Sequence, residues 1–170
     1  PSASSAASDV YKRQVWRLRI DPQLKFLVVS ASKDRADNFT TFTMRLINEM
    51  PILAGLIPSD DQRNSKVSFD VRPAQADHAP SCSSRGVLGQ MSGARADEVI
   101  ADDVEVPNNS FTQPMRDKLS EAVKEFEAIS KPNGKITFLG TPQVENSVYL
   151  TLEERGYETR IWTARYPELK

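Results

Sequence analysis

Three times in this chain a short apolar run is followed by a segment whose apolar residues recur every three or four positions, and that alternation restricts the fold more than any other feature. The first run is LKFLVVS, residues 24–30, unbroken from Phe26 to Val29. Bounded by polar residues, such a run reads as a strand buried on both faces, as in parallel sheets. Ser32 then stands where a helix cap is needed, Asp34 lies in the first turn, and Phe39, Phe42, Leu46, Ile47 and Met50 keep helical spacing up to Pro51. The second run, EVIAD, is followed by a helix face of Met115, Leu119, Ala122, Val123, Phe126 and Ile129, which the Pro-Asn-Gly turn at 132–134 should end. KITFLG at 135–140 is the third; Val148, Tyr149 and Leu152 predict a short helix closed by Gly156, and Thr159 to Trp162 a last strand. Between the first two units a looser stretch, Gly55 to Gln90, has room for two short strands, VSFDV at 67–71 and GVLGQ at 86–90. Strands alternating with helices predict an α/β fold, a mostly parallel sheet flanked by helices on both faces. The chain contains no internal repeat.

The bulk numbers narrow the classes of function. With 170 residues, 39% of them hydrophobic and 26% charged, the chain can build one domain with a real core. A net charge of −1 and a pI near 6.0 give no overall basic field, so any contact with nucleic acid has to be local. The single cysteine, Cys82, rules out an internal disulfide framework and fits a reducing compartment. No apolar run approaches the roughly 20 residues of a membrane-spanning helix. The opening PSASSAASD is of low complexity, and VYKRQ resembles translated adapter sequence of the kind found at the ends of metagenomic fragments. Residues 1–14 are therefore expected to be a disordered, non-native leader, with the domain running over 15–170.

Chemistry gathers where the second strand should emerge. Asp102, Asp103 and Glu105 crowd its end in EVIADDVE. Desolvation and mutual repulsion make ionisation costly there unless a cation or a phosphate reaction is expected. In an open α/β sheet, ligands bind outside the carboxyl ends of the strands. An Asp closing such a strand can hold magnesium beside the β- and γ-phosphates of a nucleotide, and a second carboxylate can orient the attacking water. Gly140-Thr141-Pro142 closes the neighbouring strand, where a Thr can sense the γ-phosphate. Taken alone, an acidic pair after a strand is more often a solvated loop or a helix start. No GxxxxGK[ST] occurs, and the one Gly-Lys pair, Gly134-Lys135, precedes a strand instead of following one.

The remaining candidates are weaker. His78 lies in a polar, Pro-flanked loop without ligand spacing for zinc and reads as a surface or loop-packing residue. Cys82 lacks a nucleophile motif and reads as a small loop residue. Arg95, in SGARAD, could reach a phosphate or a neighbouring subunit's nucleotide, but pairing with Asp97 or Glu98 is the plainer expectation. Trp16 and Trp162 are expected in the core.

Four stretches, LKFLVVSASKDRAD, VSFDVRPAQADHAPS, GQMSGARADEVIADDVEVPNNS and ITFLGTPQVENSVYLTLEERGYETRIW, resemble the large terminase subunit (DNA maturase B) of short-tailed, podovirus-type phages. The resemblance runs from about Val15 to ARYP near the end, and Gly89 to Ser110 is its most specific part. It implies an additional-strand P-loop ATPase using ATP and Mg2+, which drives double-stranded DNA through the portal protein into a preformed capsid. In the intact protein it also implies a C-terminal nuclease domain, a small terminase subunit as partner, a ring homo-oligomer and the host cell cytoplasm.

Carried over by position, Asp102 corresponds to the Walker B aspartate that holds magnesium. Asp103 stands where many terminases have the catalytic glutamate. With Asp-Asp-Val-Glu in place of Asp-Glu, the water-activating group is Asp103 or Glu105, Asp103 being slightly favoured. Gly140 and Thr141 fall in the coupling motif, and Arg95 is a candidate coupling residue or trans-acting finger. The resemblance further implies that the phosphate loop precedes VWRLRIDPQLK and that the nuclease begins beyond Lys170. The 170 residues are then a partial ATPase domain, inactive alone. Its unneutralised acids should make the chain more stable at mildly acidic pH than at neutrality. Two other readings share the pattern: a helicase-like DNA translocase, and a non-enzymatic assembly module with a P-loop-type fold.

Overall fold

The computed structural model describes residues 3–161, with side chains from Lys12 onward. It is a five-stranded α/β sheet of spatial order β2-β3-β1-β4-β5. The strands are β1 (Phe26–Ser30), β2 (Ser68–Phe69), β3 (Cys82–Gly86), β4 (Ala96–Asp102) and β5 (Ser130–Leu139). β3, β1, β4 and β5 run parallel, and the two-residue β2 is antiparallel at one edge. The helices are α1 (Ala3–Ile20), α2 (Lys33–Glu49), the short α3 (Pro107–Ser110), α4 (Gln113–Ile129) and α5 (Val148–Glu154), with a 3-10 turn at Pro51–Leu56. Alternate residues of β1 serve the two faces. Phe26 and Val28 join Ile100 under α1 and α2, where Val15, Leu18, Phe39 and Ile47 are buried. Leu27 and Val29 join Val99 and Ala101 under α4 and α5, where Leu119, Val123, Phe126 and Leu152 are buried.

α2 begins where the sequence places it: the Ser32 hydroxyl accepts from the Arg35 N–H, and the helix stops before Pro51. Its inward face is Ala36, Phe39, Thr40, Thr43 and Ile47, which leaves Phe42 and Met50 on the exposed side, as Met115 is on α4. Threonine can occupy that face because Thr40 and Thr43 return their hydroxyls to the carbonyls of Ala36 and Phe39.

Several expectations need correction. The segment expected to be a disordered leader is helical from Ala3 onward, and Gln14 is buried, donating to the Cys82 sulfur at 2.9 Å. On that helix Val15 and Leu18 face inward, which turns Trp16 out to 59% exposure. Trp162 lies outside the described residues, and Thr159–Ile161 form no strand. The third strand is CSSRG at 82–86, not GVLGQ at 86–90, which turns instead. Cys82 is a buried strand residue and not a loop residue. Its small polar side chains carry no apolar signal, and the strand exists because β1 offers it a partner. VSFDV shrinks to Ser68–Phe69. The Pro-Asn-Gly turn does not separate α4 from a strand. β5 starts at Ser130, bulges through Asn133 at φ 64°, and resumes register with β4 at Lys135. Among the described residues no helix is long and apolar enough to cross a membrane.

Candidate functional site

The register brings the carboxyl ends of four parallel strands to one edge: Ser30 lies opposite both Gly86 and Asp102, and Asp102 opposite Leu139. Asp102 therefore sits between the start of α2 and the Gly140-Thr141 turn that follows β5. The two signals read separately in the sequence are neighbours in space.

The chain leaves β4 through a bend that needs Asp103. Its φ is 46°, in the left-handed region that Asp tolerates better than most residues. Its N–H donates to the Leu139 carbonyl at 2.8 Å, and its carbonyl accepts from the Ala31 N–H at 3.3 Å. Asp103 is thus fastened on both sides through its backbone while its side chain faces solvent. Asp102 is half-buried, and burial raises its pKa to about 6. The Asp103 charge pushes in the same direction, and Arg35 in the first turn of α2 opposes it. Among the described residues no ion pair reaches either aspartate. An acid held this way gains from a divalent cation and loses from being left alone.

Glu105 behaves differently. It is 2% exposed, and its carboxylate accepts from the Gln143 N–H at 2.8 Å, the Ser147 hydroxyl at 3.0 Å and the Val148 N–H at 2.7 Å. The two acids offered by the sequence as alternatives are separated by the fold: Asp103 is open, while Glu105 is engaged inward. Asn109 braces the same turn, donating to the Val104 carbonyl and accepting from the Val106 N–H.

Gly140 and Thr141 are exposed at the edge. A side chain at Gly140 would overlap the Tyr149 hydroxyl, so glycine is required there for packing. Tyr149 is itself part of the site's electrostatics: burial pushes its phenol well above its ordinary range, and Asp102, Asp103 and Glu105 add to that.

Arg95 is not in this constellation. It precedes β4, seven residues from Asp102, which is roughly 20 Å along a strand and at the opposite edge of the sheet. Nor does it pair with Asp97 or Glu98; it donates to the carbonyls of Ala94 and Ala128. With His78 and Arg85 it lines a separate cleft of about 410 Å³. Within one chain Arg95 cannot reach a phosphate beside Asp102.

The sequence reading missed Arg35 and Tyr149. Arg35 could have been found, since it stands three residues past a recognisable cap beside a strand end. Tyr149 could not, because its position depends on how α5 packs.

The metal-binding capacity of the edge is limited. Among the described residues no group of three or more His, Cys, Asp or Glu side chains could cage a metal. One or two carboxylates with room for waters suit magnesium, whose remaining ligands commonly come from substrate phosphates.

No protein-family model matches the chain. Among curated proteins it is 53% identical over 156 residues to a protein described as "Terminase, large subunit" from Enterobacteria phage T3, a match covering 90% of this chain and 27% of that protein. The chain spans about a quarter of the length of the relative it matches.

Proposed function

We propose, from the membership of this chain among large terminase subunits, that it is part of the ATP-hydrolysing motor that packages double-stranded phage DNA. The observation that carries the reading is the pair Asp102 and Asp103 at the carboxyl edge: one half-buried, one exposed, and neither held in an ion pair among the described residues. Asp102 holds magnesium, directly or through water, and Asp103 orients the attacking water. Gly140 and Thr141 sit beside them to register the γ-phosphate. When bound, the metal neutralises charge on the β- and γ-phosphates. The chain's own contribution is to fix the two carboxylates through the backbone bonds of Asp103 to Leu139 and Ala31.

The 170 residues contain no GxxxxGK[ST], so no backbone nest with its lysine cradles the phosphates. Among the described residues the outer edge of β5 pairs with no strand, which is compatible with a further strand beside it. In the intact motor the partners are the portal, the small terminase subunit and further copies in a ring. Arg95, at the opposite end of β4 from Asp102, would act on a nucleotide only from a neighbouring subunit.

The test is an extended chain that adds a phosphate-loop strand upstream of α1. It should hydrolyse ATP with magnesium, lose that activity in Asp102→Asn, and lose most of it in Asp103→Asn with ATP binding retained. The 170 residues alone should hydrolyse none. An Asp102→Asn extended chain turning over ATP at the unmodified rate would overturn the assignment.

A further inference from the structure

After Asp103 the chain turns inward, and over four residues every direction is tied. Asp103 is bonded to β5 and to the β1–α2 junction, Val104 is buried, and the Val106 N–H is taken by Asn109. Glu105 reaches across to the loop after β5 and to the first turn of α5. That loop is otherwise loosely held. From Gly140 to Gln143 it is exposed, and among the described residues the one hydrogen bond joining 140–146 to the rest of the fold is donated by Gln143 to Glu105. The Gln143 side chain only closes the loop on itself, at the Thr141 carbonyl.

We infer that Glu105 is a positioning strut: its carboxylate makes the Asp102–Asp103 strand end and the 140–148 segment move as one body, so that a change at the acids is delivered to Thr141 and α5. The inference rests on the proposed motor reading for its use, but the geometry stands without it. Charge-assisted bonds are short and strong, and a carboxylate gripping three donors with both oxygens resists sliding. A side chain so engaged is turned inward, away from the open edge where Asp103 stands. The role assigned to Glu105 is therefore transmission.

The test is amide exchange on the 170-residue chain. In the unmodified chain the Gln143 and Val148 amides should exchange slowly. In Glu105→Gln, which puts an NH2 group against donors, they should exchange at least tenfold faster, with Val99–Ala101 unchanged. Magnesium chloride is then titrated. Shifts at Asp102 and Asp103 accompanied, at the same midpoint, by shifts at Gln143, Ser147 and Val148, with only the first set surviving in Glu105→Gln, support the strut. Survival of both sets in that variant overturns it.

Absence of any response at Asp102 and Asp103 counts against the metal reading and leaves the strut to the second trigger, Asp103→Ala. That substitution should change exchange at Gln143 and Val148 at least threefold, and should not do so on the Glu105→Gln background. No change on the unmodified background overturns the strut. If Glu105→Gln does not fold, Ser147→Ala removes one of the three donors and should weaken the magnesium response at Val148; an undiminished response overturns the inference.

Discussion

The two ends of β4 carry acids of the same kind and treat them in opposite ways. At the amino end Glu98 is 2% exposed and faces Arg13 at 2.9 Å and Arg17 at 3.0 Å, both from α1. Beside it Asp97 takes the Lys25 N–H at 2.8 Å and the Lys131 ammonium at 3.0 Å. At the carboxyl end, among the described residues, Asp102 has Arg35 as a more distant influence and no ion pair reaches Asp103. Acids at the first end are neutralised by the chain: Glu98 docks α1, and Asp97 ties the start of β1 to β5. Those at the second are, among the described residues, held in no ion pair. Glu105, three residues beyond Asp102, shows that proximity to the strand end does not decide: like Glu98 it is buried and engaged from within, through hydrogen bonds where Glu98 has ion pairs.

That division can be broken by substitution, beginning with the largest effect. Glu105→Ala strands three donors, two of them buried, and should cost about 3 kcal/mol in urea denaturation; a loss under about 1 kcal/mol would return Glu105 to the open acids. Glu98→Ala should cost about 2 kcal/mol, less than a fully buried pair because Arg13 and Arg17 are partly solvated. Its signature is faster amide exchange in α1 with α4 unchanged.

Asp102→Asn should act the other way, stabilising at pH 7 by about 1 kcal/mol after discounting for partial exposure. The native pKa of Asp102, about 6, lies above its ordinary 3.8, so between those values the folded state binds the extra proton. Stability from this group is complete below about pH 4 and is lost as pH rises through 6. Asp37 has a pKa lowered by its bonds to Lys33 and Ser84 despite the opposing effect of burial, so it works below that window. The melting temperature should therefore rise on acidification from pH 7 to 5 and stay flat over that range in Asp102→Asn. A midpoint that falls from pH 7 to 5 in the unmodified chain would contradict the division. Smallest is Asp103→Asn, a gain of about 0.5 kcal/mol or less, because the charge is solvated and Asn also tolerates positive φ. If it exceeded the gain at Asp102, burial would not be what makes the carboxyl end unfavourable.

Much of the sheet was legible because its strands announce themselves. Phe26–Val29 and Val99–Ala101 are buried on both faces, which requires continuous apolar sequence. β3 was misplaced because CSSRG is held by its pairing to β1 and not by its side chains. The placing of the candidate residues was half legible. Asp102, Asp103, Gly140 and Thr141 meet at one edge as a parallel sheet requires. Arg95 did not join them, since sequence proximity to the acids says nothing about which end of a seven-residue strand a side chain occupies.

The sequence by itself determined the layered α/β plan and the strand at whose end the acids emerge, because periodicity and turn chemistry are local properties. Only the tertiary structure decided which acid is open and which is consumed. Asp103 and Glu105 are two residues apart and chemically alike, and they differ in whether donors from a segment some forty residues later in the chain close around the carboxylate.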